Sequence, residues 1–383
     1  MSANVCILTT VHPRSDTRIF VKEATALAAD GTSEVLMLVQ DGLGSVRDSA
    51  HGVNVVDVGW PPRNRLARMT LGSWRMWRNV RAAQPAVAHF HDPELIPVGL
   101  ALKLSGVRVI YDVHEDVPAQ ILDKYWIPIR FRQPIAWAVG ALEWVAARFF
   151  DAIVPAEPKV AERFPACKTV VVQNFPLLTE FATANPLPYA DRPPAFAYVG
   201  GMTVLRGARE MIQAVGLVPE TSKCRVELAG GFAPADLQDE LEQVFGWARV
   251  RFHGWASRSD VAKILGGVRG GLVVLHPIRN YLDAYPVKMF EYMAAGLPVI
   301  ASDFPLWRKI IEGAGCGLLV NPRDPKAIAD AMQWILSNPD QARTMGERGR
   351  RAVEETYNWD HEARKLIRLY ETLLPNDHRV SQQ

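Results

Sequence analysis

The chain has 383 residues, a formal net charge of +2, 49% hydrophobic and 22% charged residues. At about 100–200 residues per domain this gives two to three domains with full cores, and so small a charge gives no argument for a nucleic-acid partner. Four scattered cysteines, Cys6, Cys167, Cys224 and Cys316, with no Cys-x-x-Cys pair, argue against a disulfide framework or a zinc site and fit a reducing cytoplasm.

The chain enters a strand-like run at Val5 with no basic leader, so no signal peptide is expected. Val5-Cys6-Ile7-Leu8 predicts a buried strand. The loop that follows carries Arg14, Asp16 and Arg18. Asp16 can accept from a hydroxyl and Arg18 can hold a phosphate, but the same residues also make a solvated turn with an Arg–Asp pair. A helix over Ile19–Ala29 ends at Gly31, and Val35–Val39 predicts a second strand. Further strand-like runs are Val53–Val56, Val87–His89, Val107–Tyr111, Ala152–Val154 and Val170–Val172, with helical patterns between several of them. Such alternation predicts a parallel, doubly wound α/β domain.

Between Asp57 and Asp92 there is no acid, while Arg63, Arg65, Arg68, Arg75, Arg78 and Arg81 interleave with Leu66, Met69, Leu71, Trp74, Met76 and Trp77. Lys124–Trp137 adds Arg130 and Arg132 beside Trp126 and Phe131. Basic side chains with Trp suit an anionic membrane surface; a solvated face with Trp in the core is the other reading. The longest apolar stretch, Ile135–Phe150, is interrupted by Glu143 and Arg148 and makes a poor membrane span.

His89 and His91 share a strand face, yet no third imidazole follows at ligand spacing, and no metal is expected there. His114, in Tyr111-Asp-Val-His-Glu-Asp116, sits at a strand C-terminus, where it can meet a sugar hydroxyl or be satisfied within its own loop. Pro176, Pro186, Pro188, Pro193 and Pro194 mark a linker. A second alternating series follows, with strand-like runs at Ala197–Val199, Val226–Ala229, Val250–Phe252, Leu272–Leu275, Val299–Ala301 and Gly317–Val320.

Gly200 and Gly201 open a strand-to-helix turn that ends at Arg206-Gly207. Glycines let backbone approach a ligand, and Arg206 can neutralise a diphosphate. This is not Gly-x-Gly-x-x-Gly, and none follows the first strand, which counts against a nicotinamide oxidoreductase. His253-Gly254-Trp255 follows the strand at Val250. In Asp283-Ala-Tyr-Pro-Val-Lys-Met-Phe-Glu291-Tyr-Met-Ala-Ala-Gly296-Leu-Pro298, Pro286 suits the first turn of a helix. Val287, Phe290 and Met293 recur as a buried stripe, and Gly296 with Pro298 ends the helix. Lys288 and Glu291 are three apart on another face. A cation at a helix N-terminus is electrostatically misplaced unless an anion sits there too, and such a terminus holds phosphate well.

The acid-x7-Glu spacing of Asp283 and Glu291, followed by Ala-Ala-Gly-Leu-Pro-Val-Ile, resembles the donor-site motif of retaining nucleotide-sugar glycosyltransferases of family 4 type on the GT-B fold; Asp283 stands where the family usually has Glu. The resemblance implies α/β architecture with two Rossmann-like doubly wound parallel-sheet domains facing a cleft. It implies an acceptor domain over 1–180, a linker over 181–194, a donor domain over 195–359, and a C-terminal segment, 360–383, that returns to the first domain. Arg206 falls in the position of the family's loop lysine. Gly201 replaces its other cation, so Lys288 is expected to meet the remaining phosphate charge. Glu291 would hold the donor through ribose hydroxyls, Asp283 would position the transferred sugar, and the nucleobase would lie near His253 and Trp255. His114, with Arg14, Asp16 and Arg18, would face the acceptor. The resemblance implies no cofactor beyond the nucleotide diphosphate sugar itself and no metal. The acceptor would be a hydroxyl, of a lipid-linked saccharide in bacterial polysaccharide synthesis or of a small natural product, with the protein cytoplasmic and peripheral on the membrane. A nucleotide-sugar epimerase of the same fold and a non-catalytic, membrane-bound sugar-nucleotide-binding partner are the rival readings.

Overall fold

The computed structural model describes residues 4–31, 34–62, 64–124, 127–181 and 187–374. Arg63, Trp126 and Pro186, singled out above, and the end of the 360–383 segment, from residue 375 onward, lie outside the described residues. The chain forms two compact units, one of Met1–Asn174 with Asp360–Gln383 and one of Phe175–Trp359. The division falls ahead of the expected boundary at 180 because Phe175 packs its ring against Phe290 and Tyr357, with centroids 4.8 and 5.4 Å away.

The first unit is built on a seven-stranded sheet. Its strands are β1 (Val5–Leu8), β2 (Val35–Val39), β3 (Val46–Asp48), β4 (Val53–Asp57), β5 (Val87–Phe90), β6 (Arg108–Val113) and β7 (Ala152–Pro155), in the order β3-β4-β2-β1-β5-β6-β7. All neighbours are parallel except β3, a short antiparallel edge that periodicity did not reveal. β1 is buried along its whole length, as expected of a strand covered on both faces. Val170–Val172 is not a strand of this sheet. It runs beside β7, donating Val170 N–H to the Ile153 carbonyl and Val172 N–H to that of Pro155, with a single bridge at Thr169. The first helix differs too: Thr17–Ala24 is wound with i→i+5 bonds and becomes α-helical only over Thr25–Ala29. The C-terminal helix belongs to this unit from Asp360 onward, where the Tyr370 hydroxyl lies 2.9 Å from His89 Nδ1.

The second unit holds six parallel strands, β8 (Ala195–Val199), β9 (Arg225–Ala229), β10 (Val250–Phe252), β11 (Gly270–Val273), β12 (Val299–Ser302) and β13 (Gly317–Val320), in the order β10-β9-β8-β11-β12-β13. Alternation along β8 sends Phe196 and Tyr198 into one apolar layer and Ala195 and Ala197 into the other. The strand order reverses between β8 and β11. In open parallel sheets, ligands bind beyond the strand C-termini at such a reversal.

Candidate active site

Two loops leave the sheet at that reversal. One runs from β8 through Gly200 and Gly207 into the helix Ala208–Leu217; the other runs from β11 into the helix Val287–Ala294. Gly207 has φ 72° and a Cβ there would meet the Val274 carbonyl oxygen at 2.1 Å, so only glycine lets the two loops lie this close. Gly200 has φ 122°, and a Cβ on it would come within 3.3 Å of the Lys288 Nζ. His276, from the second loop, reaches Glu210 on the helix after the first at 3.0 Å. A single His between Leu275 and Pro277 gave no periodic signal that could have marked it.

The helix Val287–Ala294 is held in register by Tyr292, whose hydroxyl accepts the Val199 N–H at 2.9 Å while its ring fills the space a side chain at Gly271 would take. Pro286 occupies the N-cap position rather than the first turn. Buried residues run all round this helix, Met289 to Ala294, rather than along one stripe, because it packs on the sheet and on the helix Pro339–Glu355. The Lys288 side chain is half-buried, with its ammonium end shut away from solvent. Its ammonium is enclosed without a hydrogen-bond partner among the described residues and lies 3.8 Å from the centroid of the Tyr198 ring. Burial, then the positive charge of Arg206, holds its pKa well below the usual lysine range. Arg206 donates to the Gly201 carbonyl at 3.1 Å, and the Tyr198 hydroxyl donates to the same oxygen at 2.9 Å. The four expected phosphate-side residues, Gly200, Gly201, Arg206 and Lys288, thus come together.

Glu291 is buried, and Arg258 Nη1 lies 2.7 Å from its Oε1. Arg258 also pairs with Glu180, which brings in the segment before the linker. Neither partner was apparent in the sequence, because the three residues are far apart in the chain. Asp283 is exposed, just past the short helix Arg279–Leu282. His253 Nε2 is 2.6 Å from Glu227 on β9, so that imidazole is held by the sheet. Trp255 is 87% exposed and takes no part in the core.

In the first unit the acceptor-loop residues divide. Arg14 is a bidentate partner of Asp41 and not of Asp16, at 2.6 Å for each contact. Asp16 caps the first helix, accepting from Arg18 N and Ile19 N at 2.9 Å. Arg18 departs from its expected phosphate role: it is buried, donating to Asp112 and to the Val172 carbonyl, with Glu23 at 2.9 Å. His114 Nε2 lies 3.0 Å from His91 Nδ1 and 3.3 Å from Asp112. Burial pushes its pKa down to about 4. Glu23, His89, His91 and Asp112 offer ligand atoms within 4.8 Å of one another, a grouping that strand spacing alone did not reveal. Arg18 already balances Asp112, and burial together with Asp112 lifts the Glu23 pKa far above the carboxylate range. The cluster is therefore charge-balanced by its own arginine, and a dication would leave buried positive charge.

Taken together, the reversal point, the glycine loop and the cationic helix start define a sugar-nucleotide transferase architecture. The description Glycosyltransferase Family 4 matches residues 18–175, and Glycosyl transferases group 1 matches residues 182–352. The chain belongs to the family 4, group 1 glycosyltransferases, with the GT-B fold. It is 28% identical over 216 residues to a D-inositol 3-phosphate glycosyltransferase of Corynebacterium urealyticum, covering 53% of this chain and 49% of that protein. It is 27% identical over 317 residues to an MMP alpha-(1->4)-mannosyltransferase of Mycolicibacterium hassiacum, covering 74% and 76%. Several of the relatives it matches, including an O-antigen chain mannosyltransferase C of Escherichia coli, are spanned over about half their length or less. Among solved structures, sucrose-phosphate synthase from Thermosynechococcus elongatus superposes with a TM-score of 0.75 at 20% identity over 96% of this chain and 98% of that one. Anabaena HepE in complex with UDP-glucose gives 0.71 at 14%, over 97% and 100%.

Proposed function

We propose that the chain is a retaining glycosyltransferase that moves a sugar from a nucleotide diphosphate sugar to a hydroxyl acceptor. The observation that carries this is the Lys288 ammonium, enclosed and unpaired at the first turn of Val287–Ala294, beside Arg206 and the Gly200 backbone. An anion supplied by a ligand relieves that desolvated charge, and the free N–H groups of the helix start add to the attraction. As the glycosidic bond breaks, negative charge grows on the leaving diphosphate, and Arg206, Lys288 and the helix start stabilise it. Glu291, oriented by Arg258, takes the ribose hydroxyls; Asp283 orients the sugar; the departing phosphate accepts the proton of the incoming hydroxyl on the same face. His253 and Trp255 flank the base, and His114 serves the acceptor side. HepE solved with UDP-glucose supports a nucleotide diphosphate sugar as donor. The acceptor is a lipid-linked saccharide of a bacterial polysaccharide, reached from the cytoplasmic membrane face, a reading supported by relatives named as an O-antigen mannosyltransferase and a phosphatidyl-myo-inositol mannosyltransferase.

The test is thermal shift and calorimetry against UDP, GDP, ADP and dTDP, followed by an NMR time course with the sugar nucleotide of the base that binds. One base should stabilise the protein, and anomeric retention should follow when acceptor is added. Conversion of the donor without acceptor would mark an epimerase instead, and binding with no turnover a non-catalytic partner.

A further inference from the structure

The helix Ile129–Phe149 is inside out. Its buried residues are Ala136, Glu143, Ala146 and Ala147, whereas Ile129, Trp137, Trp144 and Phe149 are 81%, 77%, 52% and 58% exposed. A surface helix of a globular protein normally turns its large apolar side chains inward. Here the inward face is small and carries the helix's one acid, Glu143, which pairs with Arg163 and accepts from the Tyr111 hydroxyl at 2.9 Å. The only charged side chains left exposed on the helix are Arg130 and Arg148. Trp137 and Trp144, seven apart, line a groove with Gly140, Pro118, Phe164 and Arg163. Before this helix, burial and then the charge of Arg65 lower the Lys124 pKa, and Arg65 opens the segment Arg65–Trp74. That segment exposes Leu66, Met69 and Trp74 and contains no acid.

We infer that the exposed face of Ile129–Phe149 docks on an anionic lipid surface, with the helix lying in the plane of the interface. No helix among the described residues is long and apolar enough to cross a membrane, and an interfacial helix needs a broad apolar face edged by basic residues instead. Charge selects between the occupants. A two-fold contact of this face with a second copy would set Arg130 and Arg148 against themselves with no exposed acid on the helix to answer them, whereas anionic headgroups answer them directly. Trp at the two rims suits the headgroup level, where one edge is wet and the other apolar. This deepens the lipid-linked acceptor reading above but stands on separate residues.

The full chain should co-sediment with vesicles of phosphatidylcholine and phosphatidylglycerol, less so at high salt, and only weakly with phosphatidylcholine alone. Trp137→Ser with Trp144→Ser should weaken binding at least about tenfold, and Arg130→Glu with Arg148→Glu should abolish the preference for anionic vesicles. Phe245→Ser, at an exposed site of the second unit, should leave binding unchanged. These positions are exposed, so unchanged melting curves establish that the variants fold. Equal pelleting with both vesicle types, wild-type pelleting of the Trp variant, or a dimer in solution that the Trp variant splits while vesicles bind nothing, would each overturn the inference. Thermal stabilisation by UDP or GDP is read on the same samples. Its loss with pelleting intact counts against the donor reading alone, and its presence without pelleting counts against docking alone.

Discussion

Arg258 Nη1 lies 2.7 Å from Glu291 Oε1, and the same guanidinium reaches Glu180. One arginine thus ties the Glu291 carboxylate to the segment leading into the linker. Glu291 is nearly closed off while Arg258 is about one-third open, so the pair is neither a solvated surface bridge nor a fully buried one.

Glu291→Ala should abolish transfer with the fold retained, because Arg258 keeps Glu180 as a partner. Arg258→Ala should act differently. It leaves the Glu291 carboxylate poorly satisfied, at a cost of about 1–3 kcal/mol in stability, and should raise KM for the donor more than it lowers kcat. Denaturant melts and steady-state kinetics read both effects. Near-full activity of Glu291→Ala would refute its assignment.

Lys288→Met should weaken nucleoside diphosphate binding by about 1.5–3 kcal/mol, the net worth of a hydrogen bond to a charged group, while melting no earlier than wild type. The lost ammonium is already desolvated and unpaired, so its removal leaves nothing unsatisfied. Calorimetry with the nucleoside diphosphate and a thermal melt give the two numbers.

Binding should also take up protons. The Lys288 pKa is depressed in the free protein, and a bound anion restores it. The charged form is the one that binds, so affinity falls as pH rises through the depressed pKa, well before the ordinary lysine value of about 10.4. Titrations in two buffers of different ionisation heat measure the uptake; identical observed heats in the two buffers would contradict it.

Arg18→Met should destabilise the first unit by about 3–5 kcal/mol, since Asp112 is left charged and enclosed without its partner. A double substitution with Asp112→Asn should recover part of that loss. Melts of the single and double variants, compared as a cycle, settle the coupling.

His114 gives a pH dependence of opposite direction, in stability rather than binding. Its pKa is about 4 in the folded chain and about 6.5 in an unfolded one, so between these values the unfolded state holds more protons. The His114 contribution is present above about pH 6.5 and is lost as pH falls toward 4. His114→Gln cannot protonate, so its stability should fall less steeply than that of wild type on acidification across this window.

The sequence alone determined the architecture. Parallel strands are short runs rich in apolar residues and bounded by turns, and helices between them show their period, so β1, β2, β10 and β13 were readable residue by residue. The two loops at the strand-order reversal were readable as well, because Gly200, Gly207 and Gly296 are local requirements for positive φ and Pro298 is a local stop. Tertiary structure alone decided which charges are spent. Arg14 is taken by Asp41, Arg18 by Asp112, Glu291 by Arg258 and Glu143 by Arg163, while the Lys288 ammonium is left enclosed with no hydrogen-bond partner among the described residues. Periodicity assigns a residue to a face, but an ion pair forms between segments far apart in the chain, and only packing determines which carboxylate a given guanidinium reaches and which ammonium is shut away from water.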